Sequence, residues 1–278
     1  MSSFPEPAHP QPNAVPRFQL QPDPRRQAAA RRKAEREFCR AVERQEFTLH
    51  YQPRHCLSSG DVTGVEALVR WPKQKQGVEA FIPLAERTGL ITPLGGWVLN
   101  EACAAAAAWP GGDVKVSVNV SARQIEADAL LGQVAEALDR SGLRGDRLEL
   151  ELKESMLIGS DMDTLLMLSA LRDLGVGLAL DDFGTGYASL SMLKRLPLTA
   201  MKLDRSLVQD VPHDREDTAI VRAIVDTGHA LGLTVVAEGV ELEEQRAFLA
   251  GIGCDEGQGF LFSQPVPLDR LQAMLHER

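Results

Sequence analysis

The sequence has few cysteines and no long apolar segment. Its four cysteines, Cys39, Cys56, Cys103 and Cys254, are far apart and form no CxxC pair, so we expect neither a disulfide framework nor a cysteine zinc site. No apolar run approaches the roughly 18 residues that cross a bilayer. Because the N-terminus also lacks the apolar core of a secretory signal, we expect a cytoplasmic protein with no transmembrane segment.

Basic residues are scarce in most of the chain. The 278 residues include 30 Lys or Arg and 39 Asp or Glu, for a net charge of −9, and residues 37–278 alone carry 23 basic and 36 acidic side chains. So acidic a body is poorly suited to bind a DNA or RNA duplex, because phosphate contacts need a basic face. If the protein handles a phosphate ligand, we expect a metal cation to neutralise it.

The first 46 residues differ in composition from the rest. Residues 1–24 contain seven of the sixteen prolines, which predicts a disordered tail. Residues 25–46 are rich in Ala, Arg and Glu, which predicts a basic helix leading into a domain at 47–278. The helix could be a solvated cap, a contact with acidic lipid headgroups or a linker to a sensory or regulatory partner protein.

Short apolar runs alternate with helical segments from residue 47 onward. This alternation is typical of parallel α/β proteins, and eight strand candidates in one domain favour a closed (β/α)₈ barrel of the TIM type. The connection at 53–61 is too short for a helical crossover, so we expect the first strand to be antiparallel. The strand candidates are Phe47–Tyr51, Val62–Val69, Val114–Val120, Arg147–Leu152, Gly177–Leu180, Ala200–Leu203, Thr234–Ala237 and Gly257–Phe262. The helix candidates are Gly95–Trp109, Ala127–Ser141, Met162–Leu174, Glu216–Leu231, Leu242–Ala250 and Leu268–His276.

Almost every strand candidate carries or precedes a polar residue that an apolar core would exclude. In a barrel the C-terminal strand ends meet at one face, where active sites are built. Clustered carboxylates repel one another unless a cation is present. Oxygen ligands without clustered His or Cys suit Mg²⁺ or Mn²⁺, ions that commonly act on phosphoryl groups. The polar residues are Gln52, Glu66, Asn119, Glu151, Asp181, Asp182, Lys202, Asp204, Glu238 and Gln258.

These polar residues lie within a series of short motifs. The series comprises YQP at 51–53, EALVRW at 66–71, FIPLAE at 81–86, WVL at 97–99, VNVSARQ at 118–124, ELKES at 151–155, DDFGTGY at 181–187, KLDRS at 202–206, AEGVE at 237–241 and QGFLFS at 258–263. In this order, over roughly residues 35–278, the chain resembles the EAL-domain phosphodiesterases, which hydrolyse the bacterial second messenger cyclic di-GMP to linear pGpG. The resemblance implies a modified (β/α)₈ barrel with one antiparallel strand.

The resemblance also implies roles for individual residues. A first metal ion would be held by Glu66, Asn119, Glu151 and Asp181, and a second by Asp181, Asp182 and Glu238. The residues implied in catalysis are Lys202 and Gln258, which would position the attacking water, together with Glu66 and Glu238. The substrate-binding residues would be Gln52, Glu66, Leu68, Arg70, Asn119, Asp204 and Gln258. Arg70 would bind phosphate and Asp204 a guanine edge, as guanidinium and carboxylate chemistry allow.

The loop after the fifth strand is implied to couple metal binding to homodimer formation. This loop includes Asp182, Phe183, Gly184, Thr185 and Gly186, and the residues implied to act with it are Glu154, its anchor, and Glu241. The chain departs from the family at three positions: Lys153 stands at a usual Thr, Ala188 at a common Ser and Phe260 at a common Tyr. None of these departures removes an expected metal ligand.

Two other functions remain open beside the phosphodiesterase. An EAL fold could bind cyclic di-GMP without cleaving it, although members of that kind typically lose ligands that this chain keeps. A metal phosphoesterase for another nucleotide would share the ligands but would not need Arg70 and Asp204 as a set. A kinase is not supported, because the triplet at 182–184 lacks the other kinase motifs.

Overall fold

The structure, a computed structural model, describes residues 24–73, 77–110, 112–157, 161–186 and 190–276. Apart from residue 24, the predicted disordered tail lies outside these ranges. Eight strands close into one barrel in chain order. They are β1 Thr48–Cys56, β2 Val62–Arg70, β3 Lys115–Asn119, β4 Leu148–Lys153, β5 Gly177–Phe183, β6 Ala200–Leu203, β7 Thr234–Ala237 and β8 Glu256–Gly257.

Helices surround the barrel and fill most of the connections between strands. The long helices are α1 Pro24–Glu43, α2 Val78–Thr88, α3 Ile91–Ala107, α5 Leu130–Ser141, α7 Met162–Asp173, α10 Arg215–Ala230, α11 Glu243–Gly251 and α12 Leu268–His276. Short helices are α4 Ala122–Glu126, α6 Glu154–Leu157, α8 Leu190–Leu193 and α9 Arg205–Val208, with a 3₁₀ turn at Gly145–Arg147. No helix among the described residues is long and apolar enough to cross a membrane.

Strand β1 runs against the other seven strands. It pairs antiparallel with both β2 and β8, and all other neighbours pair parallel. The reversal is a tight turn after Cys56, in which Gly60 takes a positive φ of 82° and donates its N–H to the Cys56 carbonyl at 2.8 Å. The predicted barrel with an antiparallel first strand is therefore confirmed.

The last strand is shorter than its apolar sequence predicts. The apolar pattern predicts a strand from Gly257 to Phe262, but β8 ends at Gly257 and the chain then turns. Gly259 makes the turn possible, since a Cβ there would collide with the backbone of Val240. Leu261 donates its N–H to the Val240 carbonyl at 3.0 Å, so local packing replaces strand pairing.

Helix α2 is the longest element absent from the candidates. Pro83 lies inside it, and an internal proline normally argues against a helix. Tertiary packing outweighs that penalty, because Phe81 is fully buried among the rings of Phe38, Phe47 and Trp71. The predicted helix 25–46 is seen as α1 and ends at Glu43, and its Phe38 joins this aromatic cluster beside the start of β1.

The main core lies between the barrel and its helices. In β4 the sequence Leu148-Glu149-Leu150-Glu151-Leu152 alternates, and the three leucines are fully buried in this layer. The two glutamates point the other way, into the barrel, because successive strand residues face opposite sides. The same alternation in other strands gives the barrel a polar interior.

Candidate active site

A lower layer of charge lies near the N-terminal ends of the parallel strands. It consists of Arg54, Glu149 and Glu256, all largely withdrawn from solvent. Arg54 Nη1 donates to Glu149 Oε1 at 2.7 Å, and its Nε lies 2.5 Å from Glu256 Oε2. Gly64 leaves room for the guanidinium, since a Cβ there would lie 2.7 Å from Arg54 Nη2. One cation is therefore held tightly between two carboxylates.

An upper layer of charge surrounds Lys202, closer to the C-terminal strand ends. Its other members are Glu66, Glu151, Asp181 and Glu238. The Lys202 ammonium, which is 1% exposed, lies 2.6 Å from Glu238 Oε1, 2.9 Å from Glu151 Oε2, 3.5 Å from Asp181 Oδ1 and 3.8 Å from Glu66 Oε2. One cation thus faces four carboxylates, an excess of negative charge that burial makes unfavourable.

Amide side chains fix the orientation of Glu66. Asn119 donates to its Oε1 at 2.7 Å and Gln258 donates to its Oε2 at 2.6 Å. Gln258 also donates to Gln52 Oε1 at 3.1 Å, and Gln52 donates to the Ser263 carbonyl at 3.1 Å. The carboxylate of β2 is therefore held between β3, β1 and the turn after β8.

An irregularity at the end of β5 brings two consecutive aspartates to the same opening. Neighbouring strand residues ordinarily face opposite sides, but Asp182 has a positive φ of 56° and the β5–β6 register shifts between Leu180 and Phe183. The carboxylates of Asp181, Asp182 and Glu238 consequently have oxygens within 4.8 Å of one another. A non-glycine residue in this conformation is strained. The strained backbone is what brings the third carboxylate to the cluster.

The shared site moves the pKa values of its carboxyl groups apart. Burial and the neighbouring Glu66 hold the pKa of Glu151 well above its ordinary value despite Lys202. Burial and Asp181 raise the pKa of Glu238 to about 7, against the attraction of Lys202. Burial also acts on Glu66, but Lys202 and the two amide donors outweigh it and lower its pKa. In Lys202 the four carboxylates outweigh burial and raise the pKa.

The residues of the upper layer suit a divalent cation. Asp181 Oδ1 is buried and accepts no hydrogen bond from the described residues, although Lys202 lies 3.5 Å away. Glu151 Oε1 is also buried and accepts no hydrogen bond from the described residues. Carboxylate oxygens are the ligands that Mg²⁺ and Mn²⁺ prefer, so a cation would satisfy these atoms and offset the charge excess. This acidic cluster could therefore hold metal.

A cavity of about 700 Å³ opens above the upper layer. Its floor includes Glu66, Asn119, Asp181, Asp182, Glu238 and Gln258, and Gln52 and Leu68 also line it. One wall is apolar and comes from α2 and α3, through Val78, Ile82, Pro83, Ile91 and Leu94. Small-molecule sites combine apolar walls with a few convergent polar groups at this size. The expected metal and catalytic residues and most of the expected substrate residues thus meet at one cavity, with Glu151 and Lys202 buried beneath its floor.

Two expected substrate residues lie outside the lining of this cavity. Arg70 Nη1 donates to the carbonyl of Val69 at 2.9 Å, and burial lowers its pKa. Asp204 caps the short helix α9, where its Oδ1 accepts from the Ser206 N–H at 2.9 Å and the Ser206 hydroxyl at 2.5 Å. The structure therefore brings neither side chain to the cavity.

The expected loop residues lie beside the site. Thr185 donates its N–H and hydroxyl to the Asp182 carbonyl at 3.3 and 2.9 Å. Glu154 is buried under Gly186, where a Cβ would lie 3.0 Å from Glu154 Oε1. Glu241 lines the cavity and pairs with Arg205 at 2.9 Å. Tyr187 and Ala188 of the predicted motif lie outside the described residues.

Sequence reasoning missed two features of the site. The lower layer was not predicted, although the alternation in β4 places Glu149 and Glu151 on the same face and could have revealed it. The sequence marks Lys153 only as a departure from the family, yet its ammonium lies 2.5 Å from Asp182 Oδ2. No sequence signal gives that contact, because it depends on the bend at Asp182.

Comparisons with known proteins agree with this geometry. The family model of the EAL domain matches residues 35–265. The chain is 45% identical over 239 residues to the bifunctional diguanylate cyclase/cyclic di-GMP phosphodiesterase MucR of Pseudomonas aeruginosa, covering 84% of this chain and 35% of MucR. It is 43% identical over 247 residues to the cyclic di-GMP phosphodiesterase NbdA of the same organism, covering 87% of this chain and 32% of NbdA.

A solved structure shows the same fold. The structure of the PaMucR phosphodiesterase in its c-di-GMP complex superposes with a TM-score of 0.80 at 43% identity, covering 85% of this chain and 98% of that chain. The chain spans only about a third of the length of the curated relatives MucR and NbdA. The resemblance stated from the sequence motifs is confirmed: the chain belongs to the EAL domain family.

Proposed function

We propose that this protein is a metal-dependent phosphodiesterase that hydrolyses cyclic di-GMP to linear pGpG. The observation that carries the proposal is the upper layer, where four carboxylates face one buried ammonium at the floor of a ligand-sized cavity. The EAL phosphodiesterase family is metal-dependent, and two relatives named as cyclic di-GMP phosphodiesterases are 45% and 43% identical to this chain over the 239 and 247 residues that match. These relationships support cyclic di-GMP as the substrate.

The proposed cofactor is Mg²⁺ or Mn²⁺, with two ions in the site. The first would be held by Glu66, Asn119, Glu151 and Asp181, and the second by Asp181, Asp182 and Glu238. When bound, such ions polarise a phosphate ester and activate water for attack. The raised pKa of Glu238 and Glu151 in their absence reflects mutual repulsion as well as burial, and a cation would relieve both.

Lys202 and Gln258 are proposed to act on the reacting atoms. Contacts with Glu238 and Glu151 fix the Lys202 ammonium below the cavity floor. An ammonium has three donors, so Lys202 can also donate to a water or to a phosphate oxygen as negative charge develops. Gln258 donates to Glu66, and its amide oxygen is suited to accept from the attacking water.

The cavity walls are suited to the rest of the dinucleotide. The apolar face of α2 and α3 offers a surface for a guanine ring, and Gln52 and Leu68 also line the cavity. We keep the proposed roles of Arg70 on phosphate and Asp204 on guanine. Both require movement, since Arg70 must leave the Val69 carbonyl and Asp204 must turn an oxygen away from Ser206.

Assembly and regulation are part of the proposal. A homodimer is proposed through the loop at Asp182–Gly186, with Glu154 and Glu241 linking it to the site. A sensory or regulatory partner and a cytoplasmic location fit a second-messenger enzyme.

The test is hydrolysis by purified protein. Cyclic di-GMP is incubated with Mg²⁺ or Mn²⁺, or with a chelator, and products are separated by chromatography. We expect pGpG only with metal, and no turnover by Glu66→Gln, which removes one carboxylate charge at nearly constant shape. The matched control is Glu244→Gln, an exposed residue paired with His213, and it should retain activity.

The outcomes separate the alternatives. Binding of cyclic di-GMP without product in either metal would favour a receptor over an enzyme. Turnover of another nucleotide diester in preference to cyclic di-GMP would assign a different substrate. Product formation that survives chelation would contradict the metal-dependent reaction.

A further inference from the structure

Lys153 contacts Asp182, one of the three carboxylates that could hold a cation. It is the last residue of β4, and its Cα is in register with that of Asp181 on β5. By strand alternation it follows Glu149 and Glu151 on the inward face. Because the chain bends at Asp182, the Lys153 ammonium reaches Asp182 Oδ2 at 2.5 Å. Lys153 itself lines the cavity.

This contact differs from that of the buried lysine beneath it. Lys202 is fully buried, and moving its ammonium away would leave four carboxylates to repel one another without a cation between them. The Lys153 side chain is 50% exposed and that of Asp182 is 31% exposed. A partly exposed ion pair is weak and screened by solvent, so Lys153 can swing away from Asp182 at little expense.

We propose that Lys153 is an ionic latch on Asp182 that competes with the second divalent cation. Resting on the proposed metal-dependent function, the inference names a control on that site. Asp182 must exchange the ammonium for the cation, and the displaced ammonium stays nearby as a like charge. Both effects weaken binding of the second ion, because Lys153 pairs with Asp182 and not with Glu66 or Glu151, the buried carboxylates proposed for the first ion.

A neutral side chain at position 153 should therefore tighten only the second ion. Loss of a partly exposed pair corresponds to up to about fivefold in affinity, and relief of the repulsion between ammonium and cation adds to it. We expect Lys153→Met to bind the second ion about five- to tenfold more tightly. Lys153→Arg keeps the charge and should bind it as the unmodified protein does.

The experiment is a titration with Mn²⁺ alone, in which electron paramagnetic resonance measures free ion and gives the number of bound ions and their affinities. Lys33→Met is the matched control, because Lys33 lies in an exposed pair with Glu37 on α1. A second comparison repeats Lys153→Met in an Asp182→Asn background, where the latch has no carboxylate to hold. There the substitution should change Mn²⁺ affinity less, because only the relief of repulsion between ammonium and cation remains.

Each outcome bears on the inference. Tighter second-ion binding by Lys153→Met, but not by Lys153→Arg or Lys33→Met, supports the latch. Equal second-ion affinity in the unmodified protein and Lys153→Met overturns it while leaving the metal-dependent function intact. A tightening of the same size in the Asp182→Asn background would also overturn it, because the effect would not pass through Asp182. If no variant binds Mn²⁺, the proposed function fails and the latch fails with it.

Discussion

The two charged layers of this barrel are built from the same kinds of side chain but differ in their balance of charge. In the lower layer one guanidinium is held between Glu149 and Glu256. In the upper layer one ammonium faces four carboxylates. Burial is similar in both, so burial of charge does not by itself mark a functional site. Carboxylates outnumber cations two to one in the lower layer and four to one in the upper layer, and only the larger excess leaves a place for a cation from solution.

Strand β4 contributes a glutamate to each layer, and the two glutamates respond in opposite ways. Burial raises the pKa of both groups. For Glu149 the attraction and hydrogen bond of Arg54 outweigh burial, so its pKa lies below the ordinary value. For Glu151 the neighbouring Glu66 adds to burial, and its pKa lies well above. Two residues on one face of one strand thus have pKa values shifted in opposite directions by their partners.

The largest expected effect is on turnover, through the upper layer. Lys202→Met removes the ammonium from beneath the floor of the cavity, and we expect kcat to fall by roughly 10²- to 10⁴-fold, the range for loss of a positioned donor or proton-transfer group. Binding of cyclic di-GMP should be largely retained, because the cation ligands remain. Steady-state kinetics and calorimetry check the two parts. Turnover equal to that of the unmodified protein would remove Lys202 from the mechanism.

The lower layer should respond in stability instead of chemistry. Arg54→Met leaves Glu149 and Glu256 buried without their cation, and breaking a buried pair in this way costs about 3–5 kcal/mol of the free energy of unfolding. Urea unfolding measures the loss. Arg144→Met, which disrupts an exposed pair with Asp146, should lower the free energy of unfolding by less than about 1 kcal/mol. If Arg54→Met lowers the free energy of unfolding by a similarly small amount, the lower layer does not stabilise the fold as proposed.

Glu238 of the upper layer and Glu149 of the lower layer should also give contributions to stability that change in opposite directions with pH. The pKa of Glu238 rises from 4.5 to about 7 on folding, so its contribution is full below 4.5 and is lost as pH rises through 7. The lowered pKa of Glu149 gives a contribution present above 4.5 and lost as pH falls. Thermal unfolding of chelator-treated protein should show stability falling from pH 5 to about 8.

Glu238→Gln tests the assignment of that slope. The substitution removes the titrating group and should flatten the fall in stability between pH 5 and about 8. Saturating Mg²⁺ should flatten it as well, because a cation favours the ionised carboxylates and stabilises the folded state by mass action. An unchanged slope in Glu238→Gln would mean that another group controls it.

The sequence predicts the barrel and the residues of the upper layer well, because both leave local patterns. Strand and helix alternation predicts the architecture, and the polar residue at each strand end predicts Glu66, Asp181 and Glu238 as neighbours. What it cannot predict depends on contacts between distant segments. Helix α2 contains a proline and is stabilised by the rings around Phe81. The contact between Lys153 and Asp182 requires a left-handed backbone at Asp182.

The smallest expected effect is the sharpest test of how tightly the lower layer is packed. A Cβ at Gly64 would lie 2.7 Å from Arg54 Nη2, and the guanidinium is held by carboxylates on two sides. Gly64→Ala should therefore lower the free energy of unfolding, measured in urea, by about 1–3 kcal/mol, as overpacking of a core does. Its kcat should be nearly unchanged, because the upper layer is untouched.

Gly132→Ala is the control, and its effect on stability should have the opposite sign. Gly132 lies in α5 with open space around it, so alanine should stabilise the helix by about 0.5–1 kcal/mol. If Gly64→Ala is as stable as the unmodified protein, the guanidinium can shift between its carboxylates, and the contrast between a locked lower layer and an open upper layer does not hold.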